Sequence, residues 1–165
     1  MSKRPLVCDT TTPLYLGRIG QIDLLPALYA PINIPDQVCL ELDMGRVLRP
    51  DTINPRSLVW VELVSVSQVL IDSLPPNRLG TNERAVVAYA QGHHGCVVGM
   101  DDLRARKLAE AIGLEVTGTL GILLRAKQAG LISIVRPLVD DITAQGFHLN
   151  PELHRDVLEL AGETP

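Results

Sequence analysis

Aromatic residues and basic charge are both scarce in this chain. Aromatic side chains make up 3% of the 165 residues, so the 46% hydrophobic content must form a core of aliphatic side chains. Lysine and arginine number 15 against 19 aspartates and glutamates, and the net charge of −4 excludes a generally basic coat for nucleic acid. A local basic rim remains compatible with this charge, and an acidic chain can act on RNA where metal ions contact the phosphates.

Cysteine pairs and long apolar runs are also missing. Cys8, Cys39 and Cys96 are widely spaced in apolar surroundings, and no Cys-x-x-Cys spacing occurs. This pattern predicts buried free thiols in a reducing cytoplasm and argues against a cysteine metal site. No run approaches the roughly 18 apolar residues of a membrane span, and no apolar signal segment follows the first residues. We therefore expect a cytoplasmic protein without membrane contact.

The most informative stretch is an apolar run that ends in two adjacent aspartates. Gly95 to Met100 reads as a buried strand, Asp101 and Asp102 follow it, and a helical pattern comes next. A second apolar run, Leu114 to Val116, then leads into a helical pattern that starts at Thr119. This order predicts a βαβ unit with polar groups at the carboxyl end of a buried strand, which is where open parallel sheets bind ligands. One aspartate can cap the helix, but the second adds repulsion unless a cation relieves it.

Three further acids lie in places where they can reach the same region. Asp9 ends the first predicted strand, where a buried carboxylate is costly unless it caps the next helix or belongs to a site. Glu41 lies in a predicted helix from Pro35 to about Met44, and the local pattern leaves open whether it faces solvent. Glu83 lies in the first turn of a predicted helix from Thr81 to Gln91, with Thr81 as its N-cap, where the helix dipole favours an acid regardless of function.

The topology rules for parallel sheets predict that these acids meet. Right-handed crossovers bring the carboxyl ends of the first and later strands side by side, so Asp9 shares a crevice with the aspartate pair. Close carboxylates repel each other by about a kcal/mol or more per pair, and hard divalent cations such as Mg²⁺ or Mn²⁺ relieve this repulsion. Such a site suits phosphodiester hydrolysis, because a metal ion activates water and neutralises the leaving oxygen.

The remaining chain predicts a helical α/β protein with an extended C-terminal helical part. Two helices broken around Gly20, a brief strand at 31–35 and a strand at 58–66 are expected in the first half. Residues 45–56 are predicted to form a loop or small excursion, and residues 68–80 a turn-rich boundary. Helices are expected over 119–129, 131–145 and 150–161, the last with Asn150 as its N-cap.

Several motifs along the chain resemble one known family. The motifs are VCDTT from Val7, GRIGQIDLL from Gly17, IPDQVCLEL from Ile34, DDLRAR from Asp101, GTLGILLRAKQAGLI from Gly118, GFHL from Gly146 and VLELAGE from Val157. They resemble the PIN-like family of prokaryotic proteins related to the VapC-type ribonuclease toxins. The resemblance covers nearly the whole chain and is weakest between residues 45 and 79.

The resemblance implies a fold and a site. It implies one PIN-like domain over residues 1–165, with a central mostly parallel sheet between helical layers and a C-terminal helical extension over about 130–165. Asp9, Glu41 and Asp102 match the three principal acids of the family, and Asp101 and Glu83 would assist them. Mg²⁺ or Mn²⁺ would be held by the set Asp9, Glu41, Asp102 and Asp101. The expected substrate contacts are Thr11, Thr119, Arg104 and Arg106, with Arg125 as a further phosphate contact; solvated helix charges are the alternative for each arginine.

The chain departs from the family at a fourth acid that usually follows the next strand. It offers Thr117 and Thr119 there, so either Asp101 and Glu83 complete the metal shell or metal binding is weakened. The expected function is therefore a metal-dependent endoribonuclease, the toxin of a toxin–antitoxin pair, with a small antitoxin partner and a homodimeric state. A catalytically silent PIN-like module that binds RNA or protein is the alternative. A phosphoacceptor domain is disfavoured because its acidic pair belongs after the first strand.

Overall fold

The computed structural model describes residues 2–164 and contains one all-parallel sheet. Its five strands are β1 (Leu6–Cys8), β2 (Ile32–Pro35), β3 (Val61–Val64), β4 (Val97–Gly99) and β5 (Val116–Thr117). Their spatial order is β3-β2-β1-β4-β5, and every neighbouring pair is parallel. The chain adds strands on one side of β1 and then returns to add β4 and β5 on the other side. This reversal places a topological switch point between β1 and β4, where a crevice opens at the carboxyl ends of the strands.

Helices flank this sheet in two groups. The α-helices of the described residues are α1 (Thr11–Arg18), α2 (Leu24–Leu28), α3 (Asp36–Leu48), α4 (Gln68–Asp72), α5 (Thr81–Gln91), α6 (Leu103–Ala111), α7 (Thr119–Gln128), α8 (Arg136–Ala144) and α9 (Pro151–Leu160). Helix α5 contacts β1, β2 and β4 and also α3, α4 and α6, whereas α7 contacts α1, α2, α9 and β5. The predicted α/β architecture with helices flanking a parallel sheet is confirmed. No helix within residues 2–164 has the length and apolarity that crossing a membrane requires.

The core is aliphatic, as the composition predicts. Strands β1 and β4 are buried along their whole length, because a parallel sheet with helices packed against it shields both faces. Tyr29 is the only aromatic side chain among the fully buried large residues of the described chain. The three cysteines are buried and free, which confirms the prediction of structural thiols.

Two helical segments occupy stretches that the sequence pattern assigns to loops. Helix α3 continues to Leu48, past Gly45, where Arg46 forms an ion pair with Asp43 and donates to the carbonyl of Ile53 at 3.0 Å. Helix α4 forms in the turn-rich segment because the Ser67 hydroxyl caps it. The predictions of irregular structure were wrong over 45–48 and 68–72, since single caps and ion pairs can offset poor local helix propensity, and they hold over 49–54 and 73–80.

Two helix starts also differ from the predictions. Gly80 is the N-cap of α5, and Glu83 accepts the Gly80 amide at 3.0 Å, so the threonine that follows is the first helical residue and not the cap. Helix α8 begins at Arg136, five positions later than the pattern suggests. The carboxylate of Glu163 accepts the amides of Val135 at 2.6 Å and Arg136 at 3.0 Å, so a residue beyond α9 caps this helix from outside.

Candidate active site

The polar groups of the predicted crevice lie at the switch point of the sheet. Asp9 directly follows β1, and its backbone amide donates to the carbonyl of Gly99 at 2.8 Å, which ties the ends of β1 and β4 together. Asp101 and Asp102 follow β4. The three aspartates line one cavity, as the topology argument predicts.

The crevice consists of two cavities that share Asp9, Thr11 and Glu83. We call them the first arm, of about 650 Å³, and the second arm, of about 510 Å³. Besides the shared residues, the first arm includes Glu41, Asn82 and Arg104. The second arm includes Asp101, Asp102, Tyr15, Phe147 and His148. Asp9 therefore lies where the two arms meet.

Asp9 is the most perturbed acid of the site. Its side chain is only 6% exposed. Burial raises its pKa to about 6, with further raising from the negative charges of Glu83, Glu41 and Asp101, although the neighbouring backbone amide of Thr10 offsets part of this rise. Buried carboxyl groups with like charges around them cluster in the clefts of functional sites.

The two glutamates are oriented by polar neighbours before α1 and at the start of α5. In the first arm, the carboxylate of Glu41 accepts hydrogen bonds from the hydroxyl of Thr10 and the side-chain amide of Asn82. Glu83 uses one oxygen to cap its own helix, as described above, and lines both arms. Helices α3 and α5 thus each bring one carboxylate to the cleft. The sequence left open whether Glu41 faces solvent or the site; its exposed side chain lies at the mouth of the first arm.

Asp101 is held by three hydrogen bonds from two helices. The amide and hydroxyl of Thr119 donate to its two oxygens at 2.8 and 2.7 Å, and the hydroxyl of Thr11 donates at 2.9 Å. Since an ionised carboxylate offers about four acceptor sites, most of its capacity is already used. The family resemblance predicts Thr119 as a substrate contact. Its side chain is fully buried, so its hydroxyl positions Asp101 and does not reach the cleft surface.

Asp102 has the dual character that the sequence suggests. One of its oxygens accepts the amide of Ala105 at 3.0 Å and caps α6, which confirms the predicted N-cap. The same side chain lines the second arm of the cleft. Capping and ligand binding are compatible because a carboxylate has two oxygens.

The predicted basic contacts are spread over different surfaces. Arg104 lines the first arm. Arg106 donates to the carbonyl of Met100 at 3.1 Å and is not among the residues that line either arm. Arg125 lies over the ring of Tyr29, 5.3 Å from its centroid, and lines a separate cavity. Of the three arginines, only Arg104 lines an arm of the cleft.

Sequence reasoning missed several residues of the cleft. Asn82 has a local signal, because it adjoins Glu83 in the first turn of a predicted helix. Phe147 and His148 belong to the GFHL motif, but no local pattern places that motif or Tyr15 beside the acids, since these residues come from α1 and from the loop between α8 and α9, far apart in the chain. Only packing of the C-terminal helices against α1 brings them to the acids.

The donor set suits a hard cation that keeps part of its water shell. Among residues 2–164, no three His, Cys, Asp or Glu side chains converge closely enough to form a ready metal site. Mg²⁺ commonly binds through one or two carboxylates and several waters, and does not need a closed protein cage. Asp9, with repulsion from three neighbouring acids, provides the uncompensated negative charge that such an ion neutralises. The chemistry of these oxygen donors therefore fits Mg²⁺ or Mn²⁺.

The fold and the cleft define an α/β protein with a carboxylate-lined site at the switch point of a parallel sheet. A family model for the PIN domain matches residues 5–163, and the chain belongs to the PIN domain family. PIN domains are generally nucleases. A comparison with curated proteins gives no match.

Thr119→Val tests the hydrogen bond that the Thr119 hydroxyl donates to Asp101. The substitution keeps the shape of the side chain but removes the hydroxyl that donates at 2.7 Å, and we expect the free energy of unfolding to fall by about 1–3 kcal/mol. Urea denaturation measures this change. Thr143→Val is the control, because that hydroxyl only bonds to the carbonyl of Val139 in its own helix, and its effect should stay within about 0.5 kcal/mol. Equal losses in the two variants would contradict a special role for Thr119.

Proposed function

We propose that the protein is a Mg²⁺- or Mn²⁺-dependent endoribonuclease of the PIN type, the toxin of a toxin–antitoxin pair. The observation that carries the proposal is Asp9, which is buried at the junction of the two arms with its pKa raised by burial and by three other acids. RNA as the substrate and the toxin role rest on the motifs shared with the VapC-type group. The membership of the PIN family supports the nuclease part.

Each acid has a distinct task in this proposal. Asp9 would be the central metal ligand, and Glu41, Glu83 and Asp102 would complete the set from their places in the two arms. Asp101, which the resemblance counts among the metal ligands, uses three hydrogen bonds to join β4, α1 and α7 and keeps about one acceptor site free. When bound, the metal ion supplies an activated water and neutralises charge on the leaving oxygen.

Other residues would orient the substrate and keep the carboxylates in place. Arg104 provides a guanidinium in the first arm that can pair with a phosphate on one side of Asp9. The hydroxyl of Thr10 and the amide of Asn82 fix Glu41, so this ligand needs little reorganisation when a cation binds. Thr11 lines both arms, and its hydroxyl is engaged by Asp101, so it would contribute shape more than a direct hydrogen bond.

An exposed apolar surface beside the cleft offers a binding face for a protein partner. Leu40, Met44 and Leu48 follow each other at one-turn spacing on α3 and are 59%, 73% and 86% exposed. Glu41 comes from the same helix, so a small antitoxin that covers this apolar stripe would lie at the mouth of the first arm. We propose this face for the antitoxin, and the homodimer remains a prediction of the resemblance.

A catalytically silent RNA-binding or protein-binding module is the second candidate. Two features of the site favour the silent module. Hydrogen bonds already use most of the acceptor capacity of Asp101, and a threonine stands where the family has its fourth acid. The absence of three converging ligands among residues 2–164 favours it as well. It would retain the cleft but bind no catalytic metal.

Metal titration and RNA cleavage distinguish the two candidates. We expect the wild type to bind Mn²⁺ saturably in calorimetry and to cut single-stranded RNA only when Mn²⁺ or Mg²⁺ is present. Asp102→Asn keeps a good capping residue on α6 but removes a charge from the second arm, so it should weaken metal affinity or activity by about 10- to 100-fold. Asp23→Asn is the matched control, because Asp23 is exposed and makes no capping hydrogen bond.

The outcomes separate the candidates without ambiguity. A folded wild type that shows neither saturable Mn²⁺ binding nor cleavage would falsify the nuclease proposal. RNA binding by that same protein would support the silent module. If Asp23→Asn lost as much metal affinity as Asp102→Asn, the loss would come from the change in net charge and not from a ligand in the cleft.

A further inference from the structure

The second arm of the cleft has a wall that the metal chemistry does not use. Tyr15 from α1 and Phe147 and His148 from the loop between α8 and α9 line this arm together with the aspartates. The chain has only one phenylalanine and three tyrosines, so the meeting of two aromatic rings beside the acids is a notable concentration. None of these three residues is needed for a carboxylate site.

Contacts from α1 hold this loop in a defined position. The rings of Tyr15 and Phe147 pack edge to face, with centroids 5.1 Å apart and planes at 89°. Arg18 donates to the carbonyl of Gln145 at 3.3 Å, and its guanidinium lies 5.4 Å from the centroid of the Tyr15 ring. Gly146 has φ of +101°, a conformation that side chains with a Cβ rarely adopt, so the turn that presents the loop requires glycine. The wall is therefore preorganised.

The charges of the two arms show what this wall can bind. Carboxylates line both arms and repel a phosphate backbone, so a nucleic acid needs donors on either side of the metal position. Among the described residues that line the arms, Arg104 is the only basic side chain of the first arm and His148 the only imidazole of the second. Asp9 lies between them, where the arms meet. A strand that crosses the cleft over Asp9 therefore finds a nitrogen donor on each side.

We propose that the second arm is a nucleotide subsite for single-stranded RNA. One base next to the cut phosphate packs against the pair formed by Tyr15 and Phe147, and the imidazole of His148 donates a hydrogen bond to the adjoining phosphate. The aromatic surface favours a single strand because only an unpaired base exposes its face for stacking. This inference rests on the proposed function and adds the contacts of the substrate in the second arm.

Steady-state cleavage of a fluorogenic single-stranded RNA in Mn²⁺ tests the subsite. We expect His148→Ala and Phe147→Leu each to raise KM by about tenfold, since each variant loses one contact to the bound RNA, while kcat changes by less than about threefold. Mn²⁺ affinity measured by calorimetry should stay at the wild-type value in both variants. His94→Ala is the control, because His94 is exposed in the turn before β4, at the opposite end of the strands, and it should leave KM unchanged.

A set of RNAs with one abasic sugar at successive positions tests the stacking directly. We expect one position next to the cut at which the missing base raises KM for the wild type but not further for Phe147→Leu. An unchanged KM in both variants, with a wild type that cuts RNA, overturns the subsite and leaves the proposed function standing. A loss of Mn²⁺ affinity in His148→Ala also overturns it, because the imidazole would then act on the metal. A wild type that neither binds Mn²⁺ nor cuts RNA overturns both proposals.

Discussion

Asp9→Asn should stabilise the metal-free protein at pH 8 and at the same time remove the proposed RNA cleavage. A change of the pKa from the ordinary 3.8 to about 6 corresponds to a folding penalty on the order of 3 kcal/mol once the group is ionised. The favourable contribution of the protonated group is complete below pH 3.8 and is lost as the pH rises through about 6. Asparagine never ionises, so the variant lacks this penalty, but it loses the proposed central metal ligand, and the proposed activity should fall at least about 100-fold.

Urea denaturation from pH 4 to pH 8 in the presence of a chelator measures the first effect. The stability difference between Asp9→Asn and wild type should be small near pH 4 and should grow through pH 6 to about 1–3 kcal/mol. Added Mn²⁺ should stabilise the wild type and leave the variant unchanged, because ligands that bind only the folded state shift stability by mass action. A variant that is less stable than wild type at pH 8, with Asp23→Asn neutral, would show that Asp9 is not under electrostatic strain.

Gly118→Ala should destabilise the protein by about 1–3 kcal/mol, because the position has no room for a methyl group. An added Cβ would lie 2.6 Å from Nη1 of Arg106, 2.7 Å from Oδ1 of Asp101 and 3.3 Å from the carbonyl oxygen of Met100. The arginine could swing away only by giving up its bond to Met100, and Asp101 could move only by giving up its bonds to Thr119. The first glycine of the GTLG motif therefore serves the close approach of α7 to the acid.

Gly45→Ala is the matched control for this prediction. Gly45 lies within α3, and its added Cβ would meet the nearest atom at an ordinary 3.8 Å, so alanine should stabilise the helix by up to about 1 kcal/mol. Thermal and urea unfolding report both changes, and cleavage of RNA reports whether the shift of Asp101 reaches the site. Similar stability in Gly118→Ala and wild type would contradict the tight packing at the entrance of α7.

Local patterns predict most of the elements of the fold and one wall of the site. The apolar run before Asp101 and the capping role of Asp102 can be read from adjacent residues, because strand burial and N-capping are local effects. The late start of α8 cannot, since it depends on a cap that Glu163 provides from beyond α9. Contacts between distant residues leave no periodic signal.

The candidate site divides in the same way. The sequence determined which carboxylates follow the strands, and the crossover rules then predicted that Asp9 meets the aspartate pair. Only the tertiary structure decided that Thr119 binds Asp101 and that His148 reaches the second arm. The physical reason is that strand order follows from chain direction and handedness, whereas the partner of each side chain depends on how α1, α7 and the C-terminal helices pack.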